Sequence, residues 1–367
     1  MRRGEDFYSF PDPAPEGEPG RLVRLESLEA PPGVKAWRVL YHSTAVDGRA
    51  VVVSGLVFAP EQPGEPGSRP VVAWAHGSVG LGDRCAPSRH PDDLLRQPIF
   101  SQLLANGVVI AATDYEGLGT PGPHPWLVGL SEGRGVIDSV RAAALIPETG
   151  AGRRFVALGV SQGGGAALFA GELASDYAGE LEVLGVVAAA PAAELDLLAL
   201  LPERNLTGVA GFVVMGALGF HAAYPNLPLD AILSPSAISQ QEALESLCQV
   251  EIERRFRGIS LDEFLKAFPA TVDQWLEVIE QNTPGSRRTP SPVLLLHGEE
   301  DRLVPPEISL LLFQRLCSLE VKTERRVYPG IGHIGVVEAS SSYVLEWINE
   351  RVAGREPSAD KAQQNCL

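Results

Sequence analysis

The sequence predicts an α/β protein whose mostly parallel sheet is flanked by helices, and three observations support this prediction. Short apolar runs that suit buried strands alternate with segments of helical periodicity, an order typical of parallel strands joined by right-handed crossovers. The pentapeptide GVSQG at Gly159–Gly163 lies between one such strand and a helix. The alternation stops after Pro191 and resumes at Pro292, which indicates an insertion into the domain.

The chain divides into five predicted segments. Residues 1–36 are rich in proline, glycine and acidic residues, which predicts an irregular N-terminal arm. Residues 37–190 and 291–352 predict the two parts of one core domain. Residues 191–290, which we call the cap segment, predict a helical insertion without strands. Residues 353–367 are polar and predict a flexible tail.

Within the core, each predicted strand is an apolar or β-branched run. The first two form a hairpin around the turn signal Asp47-Gly48. In order, the predicted strands are Trp37–Ser43, Ala50–Phe58, Pro70–Ala75, Val108–Thr113, Phe155–Leu158, Val183–Ala189, Val293–Leu296 and Val321–Tyr328. Helices are predicted before Asn106, at Glu132–Leu145, after Ser161, at Glu307–Cys317 and at Val336–Val352.

The composition excludes several classes of function. With 30 basic and 46 acidic residues the formal charge is −16, which argues against nucleic acid or an anionic membrane as the main partner. Four widely spaced cysteines form no C-x-x-C pair, so we expect neither a metal site nor a cofactor. No apolar run follows the two arginines near the start, so no signal peptide is visible and the sequence as written predicts a cytoplasmic protein. Nothing in the sequence predicts an oligomeric state.

The turn at Ser161 is the predicted site of a nucleophile. Glycine at positions 159 and 163 lets a strand turn sharply into a helix while the serine stays exposed. The start of that helix directs free N–H groups toward any anion formed there. For the pentapeptide alone, a glycine-rich connection with an incidental serine is the alternative interpretation.

A serine nucleophile needs a base, and the base needs a group that orients it. Two loops at the carboxyl ends of later predicted strands contain candidates, in the order acid and then histidine. Asp301 follows the first of these strands, with Glu299 and Glu300 as the alternative acids. His333 lies in a glycine-rich loop after the second strand. His297 is the weaker base candidate, because it continues an apolar strand and therefore favours a core position.

The oxyanion of a tetrahedral intermediate needs hydrogen-bond donors that are already in place. The backbone N–H of Gln162, the residue after the nucleophile, is the first predicted donor. The second is predicted in the loop of His76, Gly77 and Ser78, which follows the third strand. We favour the N–H of Ser78, with that of Gly77 as the alternative. His76 is predicted to brace this loop rather than to act as a base.

Four stretches together resemble the secretory lipases of the lipase A type. They are AHGSVGLGDRCAPS at Ala75–Ser88, DYEGLGTPGPHP at Asp114–Pro125, SEGRGVIDSVRAA at Ser131–Ala143 and GVSQGG at Gly159–Gly164. The resemblance extends from about Phe7 to Val352; it is dense before Pro191 and thin in the cap segment. It implies an α/β-hydrolase fold with an inserted helical cap, hydrolysis of carboxylic esters, and a cap that carries much of the acyl site.

The resemblance also implies roles for particular residues. Ser161, Asp301 and His333 match the family's catalytic triad one by one. A family disulfide between the Cys-Ala-Pro-Ser segment and the cap would join Cys85 to Cys248. The family is secreted, whereas this sequence shows no export signal.

We therefore predict a serine carboxylic-ester hydrolase, a lipase or esterase, that acts on a small-molecule ester or acylglycerol through an acyl-enzyme on Ser161. His333 transfers the protons and Asp301 orients its ring. Two alternatives stay open: a serine peptidase or amidase on the same fold, and a non-catalytic binding protein. A peptidase needs a site for a peptide amine or proline, to which no acidic cluster can be assigned. The intact order of the triad argues against a binding protein.

The uncharged run Leu206–Tyr224 approaches the length of a membrane span, but it contains four glycines and interrupts the core domain. It therefore predicts a buried or cleft-lining helix. Its large apolar side chains include Phe212, Met215 and Phe220. We predict that this helix lines an acyl tunnel above Ser161, with simple packing as the alternative.

Overall fold

The structure, a computed structural model, describes residues 7–11, 15–200, 209–258 and 261–367. Within these ranges, ten strands form one continuous sheet. In chain order they are β1 (Leu22–Leu28), β2 (Val34–Thr44), β3 (Ala50–Pro60), β4 (Arg69–Ala75), β5 (Val109–Thr113), β6 (Ala151–Val160), β7 (Glu182–Ala189), β8 (Val293–Gly298), β9 (Thr323–Tyr328) and β10 (Gln364–Cys366).

The sheet is parallel in its centre and antiparallel at both edges. Its spatial order is β1-β2-β3-β5-β4-β6-β7-β8-β9-β10. Every neighbouring pair from β5 to β9 is parallel, whereas β1, β2, β3 and β10 pair antiparallel. All residues of β5 and β8 are buried, as expected for strands that are covered on both faces.

Helices pack on both faces of this sheet, as predicted. Before β7 the chain forms α1 (Pro91–Leu95), α2 (Pro98–Ala105), α3 (Gly129–Ala144) and α4 (Gln162–Tyr177). The cap segment contains α5 (Leu195–Leu200), α6 (Val209–Ala223), α7 (Leu229–Ile232), α8 (Pro235–Ile238), α9 (Gln241–Glu245), α10 (Gln249–Phe256), α11 (Leu261–Phe264) and α12 (Asp273–Gln281). After β8 follow α13 (Pro306–Ser318) and α14 (Gly335–Val352). Helices α3, α4 and α13 share one core cluster with the sheet, and α2 and α14 share another.

The cap segment packs around an apolar cluster of its own, which also includes Trp126 and Val128 of the core domain. The uncharged run singled out in the sequence forms α6, apart from residues 206–208, which lie outside the described residues. In the part of the chain that the structure describes, none of the helices combines the length and the apolar character needed to cross a membrane.

The two ends of the chain differ from the sequence prediction. The predicted irregular arm contains β1, which pairs with β2, and β2 itself begins at Val34, before the expected start of the core. The predicted flexible tail contains β10, which extends the sheet beyond β9. A disulfide between Cys366 in β10 and Cys317 in α13 holds this tail. Edge strands depend on a distant partner for pairing, so short ones leave little local signal in the sequence.

Candidate active site

Ser161 forms the sharp turn between β6 and α4. Its backbone has a φ of 57° and a ψ of −119°, a conformation that side-chain-bearing residues rarely adopt. A Cβ atom on Gly159 would lie 2.0 Å from the carbonyl oxygen of Gly163, and one on Gly163 would lie 1.9 Å from that of Ala75. Any side chain at these two positions would therefore collide with backbone, which is why the turn requires glycine on both sides.

Backbone hydrogen bonds hold this strained turn in place. The N–H of Ser161 donates to the carbonyl of Ala189 at the end of β7, over 2.9 Å. The carbonyl of Ser161 accepts from the N–H groups of Gly164 and Ala192, each over 2.9 Å. The turn is thus joined to the neighbouring strand end and to the start of the cap segment, so Ser161 has a fixed position at the carboxyl edge of the sheet.

The loops after β8 and β9 bring Asp301 and His333 together. Nδ1 of His333 lies 2.6 Å from Oδ2 of Asp301. The other carboxylate oxygen accepts the N–H groups of Leu303 and Val304, over 3.0 and 2.9 Å. Burial disfavours the charge on Asp301, but hydrogen bonds from His297 and His333 outweigh it and hold its pKa at about 2. The ionised carboxylate therefore keeps a proton on Nδ1 of His333, which leaves Nε2 as the proton acceptor.

Burial distinguishes Asp301 from the two alternative acids. Asp301 is only 4% exposed, whereas Glu299 and Glu300 are exposed to solvent. His297 is fully buried, as its position in an apolar strand predicted, and its Nε2 lies 2.8 Å from the carbonyl of Val304. The same nitrogen is 3.3 Å from Asp301 Oδ2, so His297 helps to hold the acid loop, a role that sequence reasoning missed.

Two cavities meet at Ser161. An open cleft of about 900 Å³ is lined by Ser161, His333, Gly77 and Ser78 among others. A smaller cavity of about 120 Å³ lies under the cap segment and also includes Ser161, Ser78 and Gln162. The side chains that line the rest of the smaller cavity are mainly apolar: Trp126, Leu127, Ala192, Leu195, Leu198, Ala199, Phe212, Val213, Ala217, Phe220, Pro269, Trp275, Ile279, Leu303 and Val304.

One face of α6 forms a wall of the smaller cavity. Phe212, Gly216 and Phe220 follow one another at intervals of four residues, which places them on one side of a helix. Phe212 and Phe220 therefore line the same cavity as Ser161, and the use of that cavity by an acyl chain stays a prediction. Met215, the third large side chain singled out in this run, does not line the cavity and is buried in the cluster of the cap segment.

The loop after β4 lies against the turn at Ser161. A Cβ atom on Gly77 would be 3.6 Å from Cβ of Ser161, so ordinary contact distance separates the two segments. The ring of His76 is buried and its nitrogens lie 2.6 Å from the carbonyl of Gly77 and 3.3 Å from that of Asp114. Burial lowers the pKa of His76, and the contacts of its ring with the carbonyls of Gly77 and Asp114 brace the loop, as predicted.

A buried polar network behind Ser78 and Gln162 was not predicted. The indole N–H of Trp126 lies 3.0 Å from Oγ of Ser78 and 2.9 Å from Oε1 of Gln162. The side-chain amide of Gln162 donates to Oε1 of Glu132 over 2.7 Å, and the N–H of Leu127 donates to the same oxygen over 2.9 Å. These partners are far apart in sequence, and only the SEGRG stretch, noted for its resemblance, drew attention to Glu132.

The stability of the fold depends on pH through Glu132, a member of this network. The residue is 1% exposed, and burial raises its pKa from 4.5 to about 8. The folded protein therefore binds this proton more tightly than the unfolded chain does. It follows that Glu132 lowers the free energy of unfolding progressively as the pH rises from about 4.5 towards 8, and that it has no such effect below that interval.

A disulfide joins the loop after β4 to the cap segment. Cys85 is bonded to Cys248, the pairing that the family resemblance implied, and 163 residues separate the two positions. Next to this bond, the N–H groups of Leu81 and Gly82 donate to the carbonyl of Leu247. The disulfide therefore holds the loop after β4, which lines the open cleft, close to the inserted helices.

Among the residues that the structure describes, no group of three or more His, Cys, Asp or Glu side chains could hold a metal ion.

Comparisons with known proteins agree with this architecture. The profile of the secretory lipase family matches residues 95–360, well over half of the chain. A secreted triacylglycerol lipase of Malassezia globosa, LIP4, is 26% identical, over 96% of this chain and 81% of that protein.

Two solved structures share the fold. Candida antarctica lipase A in its closed state superposes with a TM-score of 0.81 at 18% identity, over 97% of this chain and 87% of that one. The rice cell wall degrading esterase LipA of Xanthomonas oryzae gives 0.79 at 18% identity, over 93% of this chain and all of its own. Both similarities confirm the predicted α/β-hydrolase fold. The chain belongs to the secretory lipase family and is an ester hydrolase.

Proposed function

We propose that Ser161 is the nucleophile of this ester hydrolase, with His333 as its general base and acid and Asp301 as the group that orients the ring. The observation that carries the proposal is the hydrogen bond of 2.6 Å between His333 and Asp301, made by a histidine that lines the same cleft as Ser161. With its proton held on Nδ1, the ring accepts the hydroxyl proton of Ser161 at Nε2 while Oγ attacks the ester carbonyl.

The remaining steps follow from the same arrangement. The backbone N–H of Gln162 at the start of α4 and the N–H of Ser78, with that of Gly77 as the alternative, stabilise the oxyanion of the tetrahedral intermediate. The imidazolium of His333 then returns its proton to the alcohol oxygen, which leaves as the acyl-enzyme on Ser161 forms. A water molecule, activated by the same ring, hydrolyses the acyl-enzyme.

Each of the two cavities suits a different part of the substrate. The small apolar cavity suits the acyl chain, because the energy gained on binding there comes from the burial of apolar surface. The open cleft is larger and its lining includes the charged side chains of Asp93, Arg96, Glu253 and Glu338, so it suits a polar alcohol. We therefore propose a small-molecule ester or acylglycerol as the substrate, in line with the relatives named triacylglycerol lipases.

We also propose that the protein works outside the reducing cytosol. Two disulfides, Cys85–Cys248 and Cys317–Cys366, occur in the structure, and such bonds persist in oxidising compartments. Relatives named secreted lipases support the same location.

The nucleophile is tested with the variant Ser161→Ala and a matched control, Ser101→Ala, which changes an exposed serine of α2 that lines neither cavity. We expect the first variant to lose about 10³-fold or more in kcat on p-nitrophenyl esters and to lose labelling by a fluorophosphonate, while the control keeps both. Persistent labelling at another serine would show that the nucleophile is assigned wrongly. A matched amide hydrolysed as fast as the ester would favour the peptidase or amidase alternative.

A further inference from the structure

The hydroxyl oxygen of Ser78 is held by a hydrogen bond from a buried side chain. This oxygen accepts a hydrogen bond from the indole N–H of Trp126, which lies 3.0 Å away. The hydroxyl hydrogen must therefore point away from the indole nitrogen. Among the residues that the structure describes, none accepts a hydrogen bond from this hydroxyl group. Its hydrogen is thus available to a ligand.

The position of Ser78 indicates which atom of the substrate would accept this hydrogen. Ser78 and Ser161 are both part of the lining of the open cleft and of the lining of the apolar cavity. The preceding residue, Gly77, lies against the nucleophile turn at ordinary contact distance. An ester whose acyl chain and alcohol occupy the two cavities has its carbonyl group where they meet, beside both serines.

We propose that the hydroxyl group of Ser78 is itself a catalytic group, which donates its hydrogen to the oxyanion in addition to the backbone N–H donors. This inference rests on the proposed role of Ser161 as the nucleophile. The ground-state carbonyl oxygen is a weaker acceptor than the charged oxygen of the tetrahedral intermediate, and hydrogen bonds to charged acceptors are stronger. The hydroxyl group therefore contributes to kcat rather than to the binding of the substrate.

Trp126, Gln162 and Glu132 act as positioning residues for this donor. The indole N–H is shared between Ser78 Oγ and Gln162 Oε1, and the amide of Gln162 is held by Glu132 through its other end. Trp126 is 5% exposed and Gln162 is 1% exposed, so neither side chain is free to move. A donor whose orientation is fixed before the reaction stabilises the developing charge without the cost of reorganisation.

The experiment compares the activity of variants at position 78, with p-nitrophenyl acetate as the substrate. The short acyl group of this ester leaves most of the apolar cavity empty. Ser78→Ala removes the hydroxyl group and keeps the backbone N–H; we expect kcat to fall about 10²-fold to 10³-fold with little change in KM. Ser78→Thr restores a hydroxyl group and should recover most of the loss. Ser101→Ala, at an exposed position of α2 outside both cavities, should match the parent enzyme. Ser78→Cys, which supplies only a weak donor, replaces Ser78→Ala should the latter fail to fold.

The positioning role is tested separately. Trp126→Phe keeps an aromatic ring but removes the N–H that orients the hydroxyl group, so we expect kcat on the acetate ester to fall about tenfold. Mass spectrometry of the fluorophosphonate adduct tells the two proposals apart. A folded Ser78→Ala enzyme that is labelled at Ser161 and keeps a kcat within twofold of the parent would overturn the role of the hydroxyl group. An adduct on any other serine would instead overturn the proposed function.

Discussion

Replacing Phe212 or Phe220 by Trp should shorten the acyl chain that the enzyme prefers. Both side chains line the cavity of about 120 Å³ that includes Ser161, and the ring of Phe212 lies 6.1 Å from that of Trp126, which also lines it. A cavity of about 150 Å³ in another protein holds one benzene molecule, or six carbon atoms. By proportion, this one has room for about five acyl carbons beyond the carbonyl group.

The size of the effect follows from the area that each methylene group buries. Each buried methylene contributes about 0.8 kcal/mol, so an extra two carbons contribute about 1.6 kcal/mol, or roughly 15-fold in kcat/KM. We expect kcat/KM to rise by about this factor from acetate to butanoate and again to hexanoate, and to level off for longer esters. The larger indole ring in place of Phe212 or Phe220 should move this limit down by about two carbons and leave acetate turnover unchanged.

The assay measures kcat/KM on p-nitrophenyl esters from acetate to dodecanoate for the parent, Phe212→Trp and Phe220→Trp. Met215→Leu is the matched control, because Met215 lies on the same helix but faces the cluster of the cap segment, and the change conserves volume. This control should keep the parent profile. If both Trp variants are folded and show the parent profile as well, α6 does not bound the acyl site and the chain binds elsewhere.

Three further predictions concern the acid, the disulfide and the buried carboxyl group. Asp301→Asn should leave the fold intact and lower kcat by about 10³-fold to 10⁴-fold, since the amide no longer holds the right tautomer of the base; near-normal turnover would refute its role. Thiol counting on unfolded, unreduced protein should find no free thiol, and four free thiols would contradict the structure. Joint replacement of Cys85 and Cys248 by Ser should lower the free energy of unfolding by up to about 5 kcal/mol, because the disulfide closes a loop of 163 residues. Glu132→Gln keeps an oxygen acceptor but cannot ionise, so its melting temperature should exceed that of the parent increasingly between pH 5 and 8, by an amount equivalent to a few kcal/mol at the upper end. Glu148→Gln, at an exposed site, should have the melting temperature of the parent at each pH. If Glu132→Gln also followed the parent at every pH, the burial of Glu132 would not be what lowers the stability.

The centre of the sheet could be predicted from the sequence, whereas its edges could not. Strands β4 to β8 are covered on both faces, so their sequences are apolar runs that can be recognised without knowledge of their neighbours. Strand β1 is only half buried and lies between stretches rich in proline and glycine. Strand β10 has three residues, and its pairing with β9 accompanies the disulfide from Cys366 to Cys317. Pairing at an edge depends on contacts with distant parts of the chain, which a local pattern does not contain.

The candidate triad could be located from the sequence because each member has a local signature. Ser161 has a glycine on each side at a strand–helix turn, and Asp301 and His333 stand in loops directly after apolar strands. The sequence favoured Asp301 over its neighbours Glu299 and Glu300, and the structure adds the burial of Asp301 and its hydrogen bond to His333 in support of that choice.

The network behind the proposed oxyanion donors, Ser78 and Gln162, has no local signature in the sequence. Glu132 and Gln162 are 30 residues apart, and Trp126 and Ser78 are 48 apart, so their contacts exist only in the folded chain. The network also works against stability, since a buried carboxyl group with a pKa of about 8 destabilises the fold at neutral and higher pH. An apolar residue at position 132 would remove that cost but would leave the N–H of Leu127 without this acceptor, and the amide of Gln162 with only Nε2 of His124, 3.2 Å away. Glutamine would keep the acceptor at lower cost to stability. The measured activity of Glu132→Gln therefore decides whether a carboxyl group is needed at this site or only the oxygen that holds Gln162.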